Sequence, residues 1–355
     1  MQTQLDAKSL VLVVGAGASK EVNLPIGSEL KRSIATALDI RNSDRGFNQV
    51  SGDRVVTAAL RELVTMEGSR SGVIDHYIHA CHRIRDNMPQ AASIDNFIDG
   101  HRDDSMIAQC GKLAIARCIL EAEQNSKLYI NPSNIYNKLD FEGVQHTWFN
   151  AFFRLLVEGC QKQDMAERMS RVAIITFNYD RCIEQYLYEA LISYYGLEPQ
   201  AAVDMLSNLT IYHPYGFLGP LPWQSPRGAI KFGEDADPRK LVEISKNLRT
   251  FTEGTDKSHS DIINIRSTMH TAERVVFLGF SFNPQNVELL YRDHEVRYRD
   301  CPVYGSAYGM SESDVAMISG ELASYGGHPN HRIHLNRNLK CAEVFSEYGR
   351  SMSLR

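Results

Sequence analysis

The chain has 355 residues, 43% of them hydrophobic and 23% charged, the balance of an ordinary globular protein with one large domain or two smaller ones. A formal net charge of -5 does not mark a nucleic-acid binder. No apolar run approaches the roughly 20 residues of a membrane span.

Met1–Asp6 lacks a basic stretch followed by an apolar one, so no signal peptide is expected there. The seven cysteines, Cys81, Cys110, Cys118, Cys160, Cys182, Cys301 and Cys341, form no Cys-x-x-Cys pair. Scattered and odd in number, they read as reduced thiols and small core residues of a cytoplasmic protein.

Ser9–Val14 is a continuous apolar run, the pattern of a strand buried on both faces of a parallel sheet. Gly15 and Gly17 follow directly. Leu24-Pro25-Ile26-Gly27 reads as a turn, with Ser28 capping a helix to about Leu38. From about residue 41 to 171 the pattern is mainly helical. Ile107, Cys110, Ala114 and Cys118 share one face, as do Trp148, Phe152, Leu155 and Leu156. Ser93 looks like another helix start. Strand patterns return at Val172–Thr176, Leu209–His213, Arg274–Leu278 and Pro302–Tyr304, with helices at about 181–195, 258–271 and 311–323. Ser225–Asp237 reads as a loop, and the polar tail after Ser346 as loosely held. The alternation predicts an α/β fold: one domain over 1–355, a Rossmann-like parallel sheet with helices on both faces, and a large helical insertion over 41–171. The sheet is expected from about 9–19 and 172–310.

In such sheets ligands bind beyond the carboxyl ends of the strands, and four motifs fall there. Gly15-Ala16-Gly17-Ala18-Ser19 has Lys20 where a third Rossmann glycine would stand, and no Gly-Lys-Ser/Thr follows. It reads either as a tight turn packed under a helix or as a backbone-amide cradle for a pyrophosphate, with Ser19 adding a hydroxyl. In Thr176-Phe177-Asn178-Tyr179-Asp180, Asn178 and Asp180 read either as caps of the next helix or as ligands of a ribose and a water. In His213-Pro214-Tyr215-Gly216 an extended chain would aim His213 and Tyr215 into the same cleft. His213 suits general-base work at neutral pH; a His bonded to backbone at a strand end is the alternative. Gly216 would permit a close approach to a ligand or a sharp turn. Gly279 and Ser281 either line a nucleotide or belong to a strand-to-loop turn, with Ser281 or Asn283 capping. The remaining histidines lack metal-ligand spacing. His82, His101 and His146 fall in helical stretches, His328 and His331 in a polar loop, and His334 in a short strand-like segment.

These residues, in this order, resemble the sirtuin-like family of NAD-consuming proteins. Its Gly-Ala-Gly-x-Ser loop is matched by Gly15–Ser19, its Thr-x-Asn-x-Asp segment by Thr176, Asn178 and Asp180, and its late Gly-x-Ser by Gly279 and Ser281. Leu24-Pro25-Ile26 looks like its Gly-Ile-Pro loop. The resemblance implies NAD held by Gly15, Ala16, Gly17, Ala18, Ser19, Thr176, Asn178, Tyr215, Gly216, Gly279 and Ser281, with Asn178, His213 and Asp180 catalytic.

The chain departs from the family in two respects. It has no cysteine between Cys182 and Cys301, where the deacetylase branch carries four zinc cysteines, so no metal is expected. Tyr215 stands directly before Gly216, where the family's catalytic His usually lies. Either His213 or Tyr215 then supplies the ring, or the site only binds. The zinc-free branch that the chain looks like includes bacterial antiphage effectors that hydrolyse NAD to nicotinamide and ADP-ribose. Several act as oligomers, some with a hexameric DNA-translocase ATPase of the HerA type. The resemblance thus implies an NAD glycohydrolase, with an NAD or ADP-ribose sensor regulating a partner as the rival reading.

Overall fold

The computed structural model describes residues 7–43, 48–66, 68, 73–133, 135, 138–250, 253, 260–291 and 299–355. Its centre is β1 (Leu10–Val14), whose five residues are all fully buried. A short antiparallel pair, β2 (Arg41–Asn42) with β3 (Gln49–Ser51), stands apart from the main sheet. The main sheet adds β4 (Val172–Thr176), β5 (Thr210–Tyr212), β6 (Val275–Leu278), β7 (Val303–Ser306) and β8 (Ile333–Asn336). Its order is β5-β4-β1-β6-β7-β8, and every pairing is parallel. Ranked along the chain, these strands run 3-2-1-4-5-6, the doubly wound Rossmann order. Successive connections go one way from β1 and then the other. The reversal lies between β1 and β6, where a crevice opens at the strands' carboxyl ends.

Alternation along each strand serves two cores. Val11, Val13, Ala173, Ile175, Val275 and Phe277 enter one; Leu10, Leu12, Val14, Val172, Ile174, Val276 and Leu278 enter the other. In the central strands β1 and β6 both faces are covered and every position is apolar and buried, which explains their unbroken apolar runs. The first face is covered by the helices Arg54–Met66, Val73–Asn87, Ser105–Gln124 and Pro284–Tyr291, among others. The second carries Trp148–Val157, Met165–Ser170, Cys182–Tyr195, Pro199–Leu206 and Cys341–Tyr348. The stretch over 41–171 therefore supplies helices to both faces of the sheet.

Several local expectations are corrected. The helix expected from Ser28 spans Gly27–Ala37; its first turn is closed by Glu29, whose carboxylate accepts from the Ile26 amide at 3.0 Å. Ser93 does cap its helix, accepting from the Asn96 amide at 3.0 Å. The sheet runs past residue 310 to β8, where the sequence pattern shows only a short strand-like segment around His334. His146 lies in a turn just before the helix Trp148–Val157. His328 is buried, bonded to the Tyr291 hydroxyl at 3.2 Å and the Cys301 carbonyl at 3.0 Å; burial depresses its pKa to about 4. The tail after Ser346 is docked: Met352 and Leu354 are buried, and Arg274 and Arg171 donate to the carbonyls of Ser353 and Leu354. All seven cysteines are free thiols, and all but Cys160 are buried.

Candidate functional site

Four strand ends meet at the carboxyl rim of the sheet. The loop after β1 turns at once into a short helix, Ala16–Ser19. Its Gly15 amide donates to Leu278 O and its Gly17 amide to Gly279 O, each at 3.0 Å; the Ala18 amide returns to Gly15 O at 3.0 Å. The loop is thus pressed backbone to backbone onto the end of β6. Gly279 makes this contact possible. Its φ of +56° is left-handed, and a Cβ there would lie 2.0 Å from the Ala18 nitrogen. This is the tight-turn reading of the glycines. The expected phosphate cradle is corrected to that extent: the amides of Gly15, Gly17 and Ala18 are already used within the protein.

Asn178 crosses from the end of β4 to this loop. Its Nδ2 donates to Gly15 O at 3.2 Å and to Ser19 Oγ at 3.0 Å, while its backbone amide donates to Thr176 Oγ1 at 3.2 Å. It caps no helix. Its side-chain donors are committed, which leaves the carboxamide oxygen to accept from a ligand hydroxyl. Asp180 does act at a helix start: its Oδ1 accepts from the Cys182 amide at 3.1 Å. It is also hydrogen-bonded to Ser19. Burial, against these bonds, raises its pKa from 3.8 to about 6. Ser19 therefore links the Asn178 amide to the Asp180 carboxylate.

His213 and Tyr215 part company. The strand ends at Tyr212, and the Gly216 amide donates to His213 O at 3.0 Å, closing a turn. The extended-chain expectation therefore fails. The His213 Nε2 lies 2.8 Å from Glu184 Oε1, on the helix Cys182–Tyr195; Nδ1 lies 3.4 Å from the backbone oxygen of Asn178. Phe217 stacks on the ring with centroids 4.5 Å apart. Tyr215 turns into the opposite core beside Phe177, and its hydroxyl bonds Asn286. Gly216 has φ +70°, and a Cβ there would lie 2.0 Å from Asn247 O, so chain packing suffices to explain this glycine. Ser281 is exposed at the rim, and Asn283 Oδ1 accepts from the Gln285 amide at 3.0 Å as the cap of the following helix.

Behind the rim lies a buried ion pair. Glu123, from the helix Ser105–Gln124, accepts from Arg181 N and Nε at 3.0 Å each, from Arg181 Nη2 at 2.5 Å and from the Gly233 amide at 3.0 Å. Arg181 Nη1 reaches the Ile230 carbonyl at 2.6 Å and Nη2 that of Lys231 at 3.0 Å. Neither side chain is exposed to any degree. Sequence reading missed Glu184, Glu123 and Arg181. Glu184 reads as an ordinary acid in a first helical turn, and Glu123 as the polar end of an apolar helix; the spacing to their partners carries no periodic signal.

Residues 172–326 match the model of the SIR2-like domain. The matched SIR2-like segment holds the rim residues of β4, β5 and β6, and lies outside Gly15–Ser19. It spans less than half of the chain and supports the sirtuin-like resemblance and, with it, NAD-related activity. No curated protein matches the chain. Among the described residues, no helix is long and apolar enough to cross a membrane, and no group of three or more His, Cys, Asp and Glu is placed to hold a metal ion.

Proposed function

We propose that the chain is an NAD glycohydrolase, cleaving NAD to nicotinamide and ADP-ribose. One observation carries the reading. Asn178, Ser19, Asp180 and His213, drawn from three strand ends, converge beside the crevice of a Rossmann-ordered sheet within and next to the SIR2-like segment.

Each residue has a physical task. Cleavage of the N-glycosidic bond builds positive charge on the ribose. Asn178, pinned through Nδ2, presents a neutral carboxamide oxygen to a ribose hydroxyl or a water, so positioning supplies much of the rate gain. The buried Asp180 carboxylate supports that charge at neutral pH. His213 takes the proton of the attacking water. The water oxygen bonds C1′ as the C1′–N bond breaks, and the electron pair leaves with nicotinamide. Ser281, Thr176, Gly216 and the Ala16–Ser19 turn would line the dinucleotide. No step in this scheme calls for a metal.

As in the effectors it resembles, the enzyme would deplete cytoplasmic NAD in antiphage defence, as a homo-oligomer and with a HerA-type ATPase as candidate partner.

The rival reading is an NAD or ADP-ribose sensor that regulates a partner. It is favoured by the committed amides of Gly15 and Gly17 and by the turning away of Tyr215. Incubation of the protein with NAD, alone and with candidate activators, and chromatography of the products decide between them. Nicotinamide release that is lost in Asn178→Ala, with NAD binding retained, supports hydrolysis. Tight NAD binding without release under every condition rejects the enzyme and leaves the sensor.

A further inference from the structure

Phe177 and Tyr179 flank Asn178 in the chain, yet both turn to the first core, where Tyr215 joins them. Phe177 lies edge-on to Tyr215 with centroids 5.5 Å apart and meets Phe280 at 5.1 Å. It is only half-buried, and Ser281, next to Phe280 in the chain, is exposed. An aromatic surface therefore opens at the rim one residue away from Asn178. One acid reaches these rings. Asp95 comes from the helix Ile94–Gly100, outside every motif and outside the SIR2-like segment. It is half-buried and accepts from the Tyr179 hydroxyl. It is also near enough to Tyr215 to add to burial in pushing up the pKa of that hydroxyl.

The acids around Asp95 have counter-charges. Asp99 lies 3.8 Å from Arg102, and Glu253 lies 2.7 Å from Lys112. Arg249, whose carbonyl is 3.5 Å from the Tyr179 hydroxyl, has its guanidinium 3.8 Å from Asp261. Among the described residues, none places a positive charge within ion-pair distance of Asp95. Burial pushes its pKa above 3.8, and the Tyr179 bond opposes that. A carboxylate so placed gains from a cation, and the aromatic face beside it attracts the same charge. NAD carries such a charge: its pyridinium ring is a fixed cation, joined to the ribose that Asn178 would hold. NADH carries the ring neutral, and ADP-ribose lacks it.

We propose that Asp95, with Phe177 and Tyr215, binds the pyridinium ring and makes the site selective for the oxidised dinucleotide. The inference rests on the NAD site proposed above. The charge is read in the ground state. On cleavage the electron pair of the C1′–N bond passes to the ring nitrogen, nicotinamide becomes neutral, and Asp95 no longer holds it. Loss of the carboxylate should therefore raise KM and leave kcat nearly constant.

Titration calorimetry with NAD, NADH and ADP-ribose tests it, in an Asn178→Ala background that removes turnover. NAD is expected to bind about 10-fold tighter than NADH. Asp95→Asn keeps an acceptor for the Tyr179 hydroxyl and removes the charge. It should bring NAD down to the affinity of NADH and leave ADP-ribose unchanged. Asp95→Ser is the second neutral variant, used if Asp95→Asn no longer binds ADP-ribose. With Asn178 restored, KM for NAD should rise about 10-fold in Asp95→Asn at nearly constant kcat. Equal affinity for NAD and NADH in the protein with Asp95, or a preference that survives both substitutions, overturns the proposal. ADP-ribose binding without that preference ends this inference alone, whereas indifference to all three ligands ends the NAD site with it. If NAD binds but is not cleaved, the glycohydrolase fails, and the same calorimetry still decides the role of Asp95.

Discussion

Asp180 shows how one residue combines a structural bond with a chemically useful state. Its Oδ1 closes the helix start at Cys182, and its burial raises the pKa to about 6. The folded pKa exceeds the unfolded value of 3.8. The stabilising share is therefore complete below about 4 and is lost as pH rises through about 6. Asp180→Asn keeps the acceptor but cannot ionise. Its stability relative to the parent should rise between pH 4 and 6, by up to about 3 kcal/mol, in denaturant unfolding across that range. A flat difference would show that the carboxyl titrates normally. Gly279 is the second decisive residue. Gly279→Ala forces a Cβ to within 2.0 Å of the Ala18 nitrogen at a left-handed φ. A loss of about 2–5 kcal/mol in chemical denaturation is expected, and Asn178 should lose its grip on the displaced loop.

At the scale of elements, side chains from distant segments clamp the rim. The Glu123–Arg181 pair ties the helix Ser105–Gln124 to the residue after Asp180 and to the loop carrying Ile230–Gly233. Glu123→Ala leaves a guanidinium buried without its counter-charge, so a loss of about 3–5 kcal/mol is expected in urea unfolding. A loss below 1 kcal/mol would mean that water reaches Arg181. Glu21 joins two helices in a comparable way. Its carboxylate accepts from the Trp148 amide at 2.6 Å and from the Ala342 amide at 3.0 Å, at the N-termini of helices on either side of it. Such caps are worth about 0.5–2 kcal/mol each. Glu21→Ala should therefore lower stability by about 1–4 kcal/mol in thermal or denaturant melts, with no direct effect on the rim chemistry.

For the molecule as a whole, the doubly wound order places β1 at the centre and sets its loop against that of β6. The C-terminal segment locks the second layer beneath that sheet. Helix Cys341–Tyr348 supplies Val344 and Phe345 to the core, and Met352 and Leu354 complete it. Removal of residues 350–355 deletes the buried side chains of Met352 and Leu354, each worth about 1.5–3 kcal/mol when fully buried. It also frees Arg171 and Arg274 from their carbonyl partners. A truncated chain should unfold at clearly lower denaturant than the full chain, by about 3–6 kcal/mol on the apolar terms. Coincident unfolding curves would show that the segment is not part of the cooperative unit.

Local pattern by itself determined the strands Leu10–Val14 and Val172–Thr176, the alternation of strands with helices, and the rim placement of Gly15, Asn178 and Gly279. Each of these is written in contiguous residues: unbroken apolar runs in a doubly covered sheet, and turn residues at their ends. Tertiary structure decided the rest. Whether the glycine amides point to a ligand or to β6 depends on how close two loops come. Where His213 and Tyr215 go depends on a turn that starts one residue after the strand. Glu184, Glu123 and the buried tail found their partners across separations of 29, 58 and 183 positions, as in Glu184–His213, Glu123–Arg181 and Arg171–Leu354. Periodicity reports which way a side chain faces on its own element; only packing brings together charges that lie far apart in the chain.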